Sequence, residues 1–371
     1  MRIILKDIVN IMEKHFPLHL AESWDNPGLQ IGSLSAPVKS VAVALDADEY
    51  SIDQALSLKA DVLITHHPLF FKGVKKIDYA QHEGRIIQKL ARSGTAVYSA
   101  HTNLDSAPNG LSQYLAELIG LKDIKLLGYQ REETLYKLVV FVPQTHLEAV
   151  RTAVYEAGAG HIGNYSDCGF YTRGTGTFRP LEGAEPYTGN VGQLEYADEF
   201  RLETIVRKNQ APQVLSAVLE AHPYEEVAYD LLPLAAGGLK YSYGRAGELQ
   251  KPVTLEQFAC IVKKKLGISG IKVAGDPGKM IKKVGLAGGA GSALINTASQ
   301  QGVDVFISGD IKYHEAQAGL EKGLAIIDAG HQGTEAAVRP FLQQLLRDEL
   351  SIFKSPCSVD VLDSKPIFIF Y

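Results

Sequence analysis

With 371 residues, 46% hydrophobic and 21% charged, the chain is long enough for two domains and for a core that needs no disulfide. A formal net charge of −5 argues against a nucleic-acid partner, because phosphate recognition needs a basic surface. Cys168, Cys260 and Cys357 are far apart and form no CxxC pair, which excludes a thiolate zinc cluster and fits a reducing cytoplasm.

In chain order, the opening MRIILKDIVNIMEKHF breaks its apolar run with Lys6, Asp7, Glu13 and Lys14. It therefore reads as an amphipathic helix and not a signal peptide, and no later stretch approaches the roughly 20 apolar residues that cross a bilayer. The expected location is cytoplasmic, with no membrane partner. A plan then recurs: a β-branched run, a polar or glycine break, and a helical pattern. VAVALDAD (41–48) leads to SIDQALSL, DVLITHHP (61–68) follows, and TAVYSAHTNLD (95–105) leads to GLSQYLAELIG. KKVGLAGGAGS (282–292), VDVFISGDIKYHEA (303–316) and LAIIDAGHQGTEAA (324–337) resume the plan later. Runs apolar on both faces are strands covered on both sides. Their alternation with helices predicts an α/β fold with a largely parallel sheet flanked by helices.

Between Gly128 and Gly244 the texture changes. Strands are expected at 135–143, 167–180, 201–208 and 226–234, with helices at 146–158 and 211–222. The order β-α-β-β-α-β is the ferredoxin-like plan. The expected division is a discontinuous α/β domain, 1–128 with 241–371, holding an inserted α+β domain at 129–240. LAAGGLKYSYGR (234–245) reads as the return linker, and no short-period repeat is evident.

In parallel sheets, ligands bind beyond the carboxyl ends of the strands, and titratable residues gather there. His66 and His67 end one strand, before Pro68, which stops the ladder and lets the chain turn. His101 and Asp105 follow a second strand, Asp310 and His314 a third, His331 and Glu335 a fourth, and Asp46 and Asp48 a fifth. His331 and Glu335 are four apart at a helix start, so one turn can offer an imidazole and a carboxylate together. A nitrogen- and oxygen-rich set without sulfur suits zinc, iron or manganese. At least five good ligand candidates are too many for one ion and about right for two that share a bridging carboxylate.

Several of the remaining polar residues have more than one reading. His101 and His314 either support ligand residues or shuttle protons, or are histidines satisfied by nearby backbone. Asp46 and Asp310 either orient ligand imidazoles or cap helices. Asp25 precedes Asn26-Pro27-Gly28, a turn signal. GGAGS (288–292) is either an anion cradle or a tight connection. His15, His146, His161 and His222 read as structural.

LITHHPLFF, AHTNLDSAPNGL, FISGDIKYHEA and DAGHQGTE resemble the four signature segments of the GTP cyclohydrolase I type 2 homologue family, the Nif-three-like dinuclear-metal proteins. WDNPGLQIG (24–32) is similar to that family's N-terminal segment, and the insert resembles the PII/CutA-like middle domain of its longer members. The resemblance implies that His66, His67, Asp105, His331 and Glu335 hold two divalent ions, zinc foremost, bridged by the Asp or Glu. It also implies a substrate contact at Asp25 and a cytoplasmic ring, a homohexamer of two trimers. The expected activity is metal-dependent hydrolysis of a small molecule, with GTP opened at its imidazole C8 and loss of formate if the family name holds. A phosphate ester or another nucleotide suits the site equally. The competing expectation is a regulatory scaffold whose insert senses a ligand.

Overall fold

Leu5, Ile8, Ile11 and Met12 recur at helical spacing, and in the computed structural model, which describes residues 2–369, they bury one face of helix Leu5–His15. Strands Val62–Thr65, Val305–Gly309 and Ala325–Asp328 are buried along their whole length, as strands covered on both faces must be. The chain divides into two units, Met1–Gln130 with Tyr241–Tyr371, and Arg131–Lys240. Among the described residues no helix is long and apolar enough to cross a membrane.

The discontinuous unit is α/β, with its parallel strands shared between two mixed sheets. The first runs Gly28–Ile31, Ala96–Ser99, Val62–Thr65, Ser40–Ala44, Ser358–Val361, antiparallel only at Gly28–Ile31. The second runs Lys272–Ala274, Ala325–Asp328, Val305–Gly309, Met280–Ala290, Gly244–Thr254, Lys122–Leu126. Its three parallel strands are flanked by antiparallel ones. Helices Leu5–His15, Leu111–Ile119, Leu255–Leu266 and Val338–Leu350 share one apolar core with the inner faces of both sheets. Smaller cores back each sheet on its outer side.

The two sheets repeat one plan. Gly32 at φ +132° lies against Ala96 and Leu5, and Gly275 at φ +137° lies against Ala325 and Leu255. Asp61 Oδ2 accepts the amides of Lys39 and Ser40, and Asp304 Oδ2 accepts those of Lys282 and Lys283. Strand Ala96–Ser99 therefore corresponds to Ala325–Asp328, and the His101–Asp105 pair after one corresponds to the His331–Glu335 pair after the other.

The second unit has strands Leu135–Pro143, Gly169–Phe178, Glu195–Arg207 and Tyr229–Pro233 with helices Leu147–Glu156 and Ala211–Ala221. Its sheet is antiparallel, with the last strand beside the first and the third between first and second. This is the ferredoxin-like order. Leu138, Val140, Leu202 and Val206 on the sheet bury against Val150, Val154, Val214 and Val218 on the helices.

Candidate metal centre

Adjacent residues of a strand point to opposite faces, so His66 and His67 share a site only if the strand ends between Thr65 and His67. It does: the amides of both histidines donate to the single carbonyl of Leu45, at 3.1 and 3.0 Å. The Thr65 hydroxyl pins the turn by donating to the carbonyl of His67 at 2.8 Å. Both rings then face the same space, with centroids 5.1 Å apart.

Four imidazoles converge there, and each is held through Nδ1 by an oxygen that only accepts. His66 Nδ1 donates to the carbonyl of Ala100 (2.8 Å), His67 to Asp46 (2.7 Å), His331 to Asp310 (2.8 Å) and His101 to Asp25 (2.9 Å). Fixing the proton on Nδ1 leaves each Nε2 with a free lone pair, the arrangement of metal-ligating histidines. The Nε2 atoms of His67 and His331 lie 3.4 Å apart, and 3.0 and 3.1 Å from Glu335 Oε2. His66 Nε2 is 3.7 Å from both Glu335 Oε1 and Asp105 Oδ1.

His66 Nε2, Asp105 Oδ1 and Glu335 Oε2 are buried with no hydrogen bond, although orphaned buried polar atoms are rare and costly. The donor atoms of His67, His331 and Glu335 lie within 4.8 Å of one another, and those of His66, His67 and His101 form a second such group. The donor set, imidazole nitrogens with carboxylate oxygens, fits a divalent cation such as zinc, manganese or iron.

The charges agree. Burial disfavours the imidazolium of His67, but Asp46 and Glu335 outweigh it and raise the group to about 10. Glu335 raises His331 to about 9 against the effect of burial. His66 is likewise raised, by Asp105 and Glu335 over the opposing burial. Burial would push Glu335 up, yet the three histidines hold it well below the usual carboxylate range. Asp105 is raised by burial, with His66 and His101 opposing. Without a cation, protons on the imidazoles balance the carboxylates.

The backbone is shaped around Glu335. Gly289 has φ +56°, and a Cβ there would stand 2.2 Å from Glu335 Oε1. The GGAGS segment is thus a close approach and not an anion cradle, since the amides of Gly289 and Gly291 already donate to Thr334 and Ser308. His66, His67, Asp105, His331 and Glu335 come together, and His101 joins them. Asp25, Asp46 and Asp310 stand behind His101, His67 and His331. His314 does not join: it is exposed on helix Tyr313–Glu321 beside Gln317. Asp48 caps helix Glu49–Ser57 through the Ser51 amide.

Two supports carry no sequence signal. Asn103 accepts the His101 amide and donates to Phe16. Arg245, 2% exposed, donates to the carbonyls of Ala107 and Pro108, holding the segment after Asp105, with no acidic partner among the described residues. Burial lowers it to about 10. The site opens into a cleft of about 530 Å³ walled by Trp24, Phe71, His101 and His331. Trp24 and Phe71 each meet the His101 ring edge-on at 5.8 Å.

Comparison with known proteins fits this geometry. A protein named GTP cyclohydrolase 1 type 2 homolog from Halalkalibacterium halodurans is 42% identical over 345 residues, covering 92% of this chain and 93% of its own. A protein of the same name from Bacillus subtilis is 42% identical over 326 residues, covering 88% and 87%. The crystal structure of a Bacillus cereus protein related to NIF3 superposes with TM-score 0.86 at 41% identity, covering all of both chains. The family model for Duf34/NIF3 (NGG1p interacting factor 3) matches residues 3–365, so the strand-end histidines, the carboxylates and the insert all lie inside one family's span, and the chain belongs to that family.

Proposed function

We propose that the cluster holds two divalent ions, zinc foremost with manganese or iron as alternatives, and that the chain is a hydrolase of a nucleotide-like small molecule. The observation that carries this reading is the convergence of Nδ1-anchored imidazoles on the buried carboxylates of Asp105 and Glu335, one oxygen of each lying without a hydrogen bond among the described residues. His66, Asp105 and Glu335 would hold one ion, and His67, His331 and Glu335 the other. Such a pair supplies Lewis acidity toward a substrate oxygen and acidifies water.

The chain's own residues do the rest. Asp46 and Asp310 keep His67 and His331 in the tautomer that ligates. Asp25 keeps a proton on His101 Nδ1, so His101 Nε2 faces the cleft ready to accept a proton and pass it to a leaving group. Trp24 and Phe71 offer flat apolar walls suited to a heteroaromatic ring. The relatives' name makes GTP the first substrate to test. An open cleft on the cluster favours catalysis over a scaffold with closed coordination.

The test is turnover of GTP, other nucleotides and phosphate esters by protein of verified metal content. Activity should vanish in Asp105→Asn and Glu335→Gln. Asp25→Asn should keep its metal yet slow turnover by about 10- to 100-fold, as loss of an outer-shell partner does. No turnover of any substrate, or activity unchanged in both carboxylate variants, would move the assignment to the scaffold. We also propose the homohexameric ring, which light scattering should register as six chain masses and which a monomer would refute.

A further inference from the structure

The 131–240 unit carries a cavity of its own, and strand register explains where. Val140 stands opposite Leu202, and both bury against the helices. Phe141 and Glu199, at odd offsets from them, therefore point to the other face of the sheet. Segments around Pro180–Thr188 and Tyr224–Ala228 line the rest, leaving about 460 Å³.

Its chemistry is unusual for an empty space. Phe178 and Tyr187 flank Tyr224, with ring centroids 6.3 and 5.9 Å from it. Glu199 is only 8% exposed, and among the described residues it pairs with no lysine, arginine or histidine. Gly176 makes room for it, because a Cβ there would stand 2.1 Å from Glu199 Oε2. The Tyr224 hydroxyl is buried beside Glu199, and burial together with that carboxylate keeps it protonated. Glu225 and Glu226 add negative charge to the lining. The one arginine there, Arg179, donates to the carbonyl of Gly192 at 2.6 Å.

A buried carboxylate without a cation is costly, and aromatic faces attract cations and not anions. Phosphate would meet acid where it needs a base. We propose that this cavity binds a small organic cation, an ammonium or guanidinium head seated on Glu199 and enclosed by Phe178, Tyr187 and Tyr224. Its lining comes from the 131–240 unit alone.

The test titrates the full-length protein by calorimetry with choline and with butylammonium. Its comparators are 3,3-dimethylbutan-1-ol, the neutral carbon isostere of choline, and ATP. At least one cation should bind once per chain, with the neutral isostere weaker by about tenfold or more. Glu199→Gln should weaken the cation by a similar factor with metal content unchanged. Tyr187→Leu, at a half-exposed position, should do so as well and keeps the test decisive if Glu199→Gln fails to fold. Binding of neither cation, equal binding of the isostere, displacement of the cation by ATP, or cation binding indifferent to Tyr187→Leu would overturn the proposal.

Discussion

His67 and His331 show how single residues here are set by their partners. Each imidazole is hydrogen-bonded through Nδ1 to a carboxylate and faces Glu335 through Nε2, and the result is a proton held in place of a cation. The raised values, about 10 and about 9, make metal binding a proton exchange. In the metal-free chain these imidazolium–carboxylate pairs stabilise fully below the unfolded histidine pKa near 6.5. That contribution is lost as pH climbs through 9 and 10. Metal affinity moves the other way, rising as the protons leave. The gap in melting temperature between metal-loaded and chelated protein should therefore widen steadily from pH 6 to pH 9. A gap that stays flat or narrows would refute the exchange. Much of this site is legible in the sequence, because so many of the histidines and their carboxylates fall within a few residues of a strand's end and His331 and Glu335 lie one helical turn apart. What aims His66 and His67 together is the Leu45 carbonyl, which belongs to a neighbouring strand end and leaves no mark near them.

At the scale of elements, the strand-to-helix connection 288–292 bears most directly on the site. Gly289 combines a left-handed backbone with near-contact to Glu335, so a side chain there meets two separate penalties. The backbone alone costs about 1–3 kcal/mol, and the added Cβ must also displace the Glu335 carboxylate. Gly289→Ala should lose most of its metal while keeping a native circular dichroism spectrum. Gly323→Ala supplies the control, since Gly323 has φ +74° with nothing near its would-be Cβ. That variant should be destabilised yet keep its metal, and equal metal loss in both would show that strain alone is responsible. Sequence reasoning finds the glycines but not their purpose, because an anion cradle and a close approach need the same residue type. It also finds the central strands, whose apolar runs are continuous. It misses the repeat between the two sheets, whose matched features, Gly32 with Gly275 and Asp61 with Asp304, are single residues that meet their partners only in three dimensions.

For the whole molecule, five strand ends from two sheets bring acids and imidazoles to one place, and a separate ferredoxin-like unit interrupts the chain between them. The insert's order of elements is readable because its strands alternate and its turns are rich in glycine and proline. Its cavity is not readable, since Glu199 and Phe141 meet only through strand register. The central claim is that the convergent atoms of His66, His67, Asp105, His331 and Glu335 constitute a two-ion site. Elemental analysis of the purified protein, after supplementation with zinc, manganese and iron, tests it most directly. The wild type should carry close to two divalent ions per chain, and His66→Ala and His331→Ala should lose most of that metal. A folded wild-type protein that remains metal-free would contradict it.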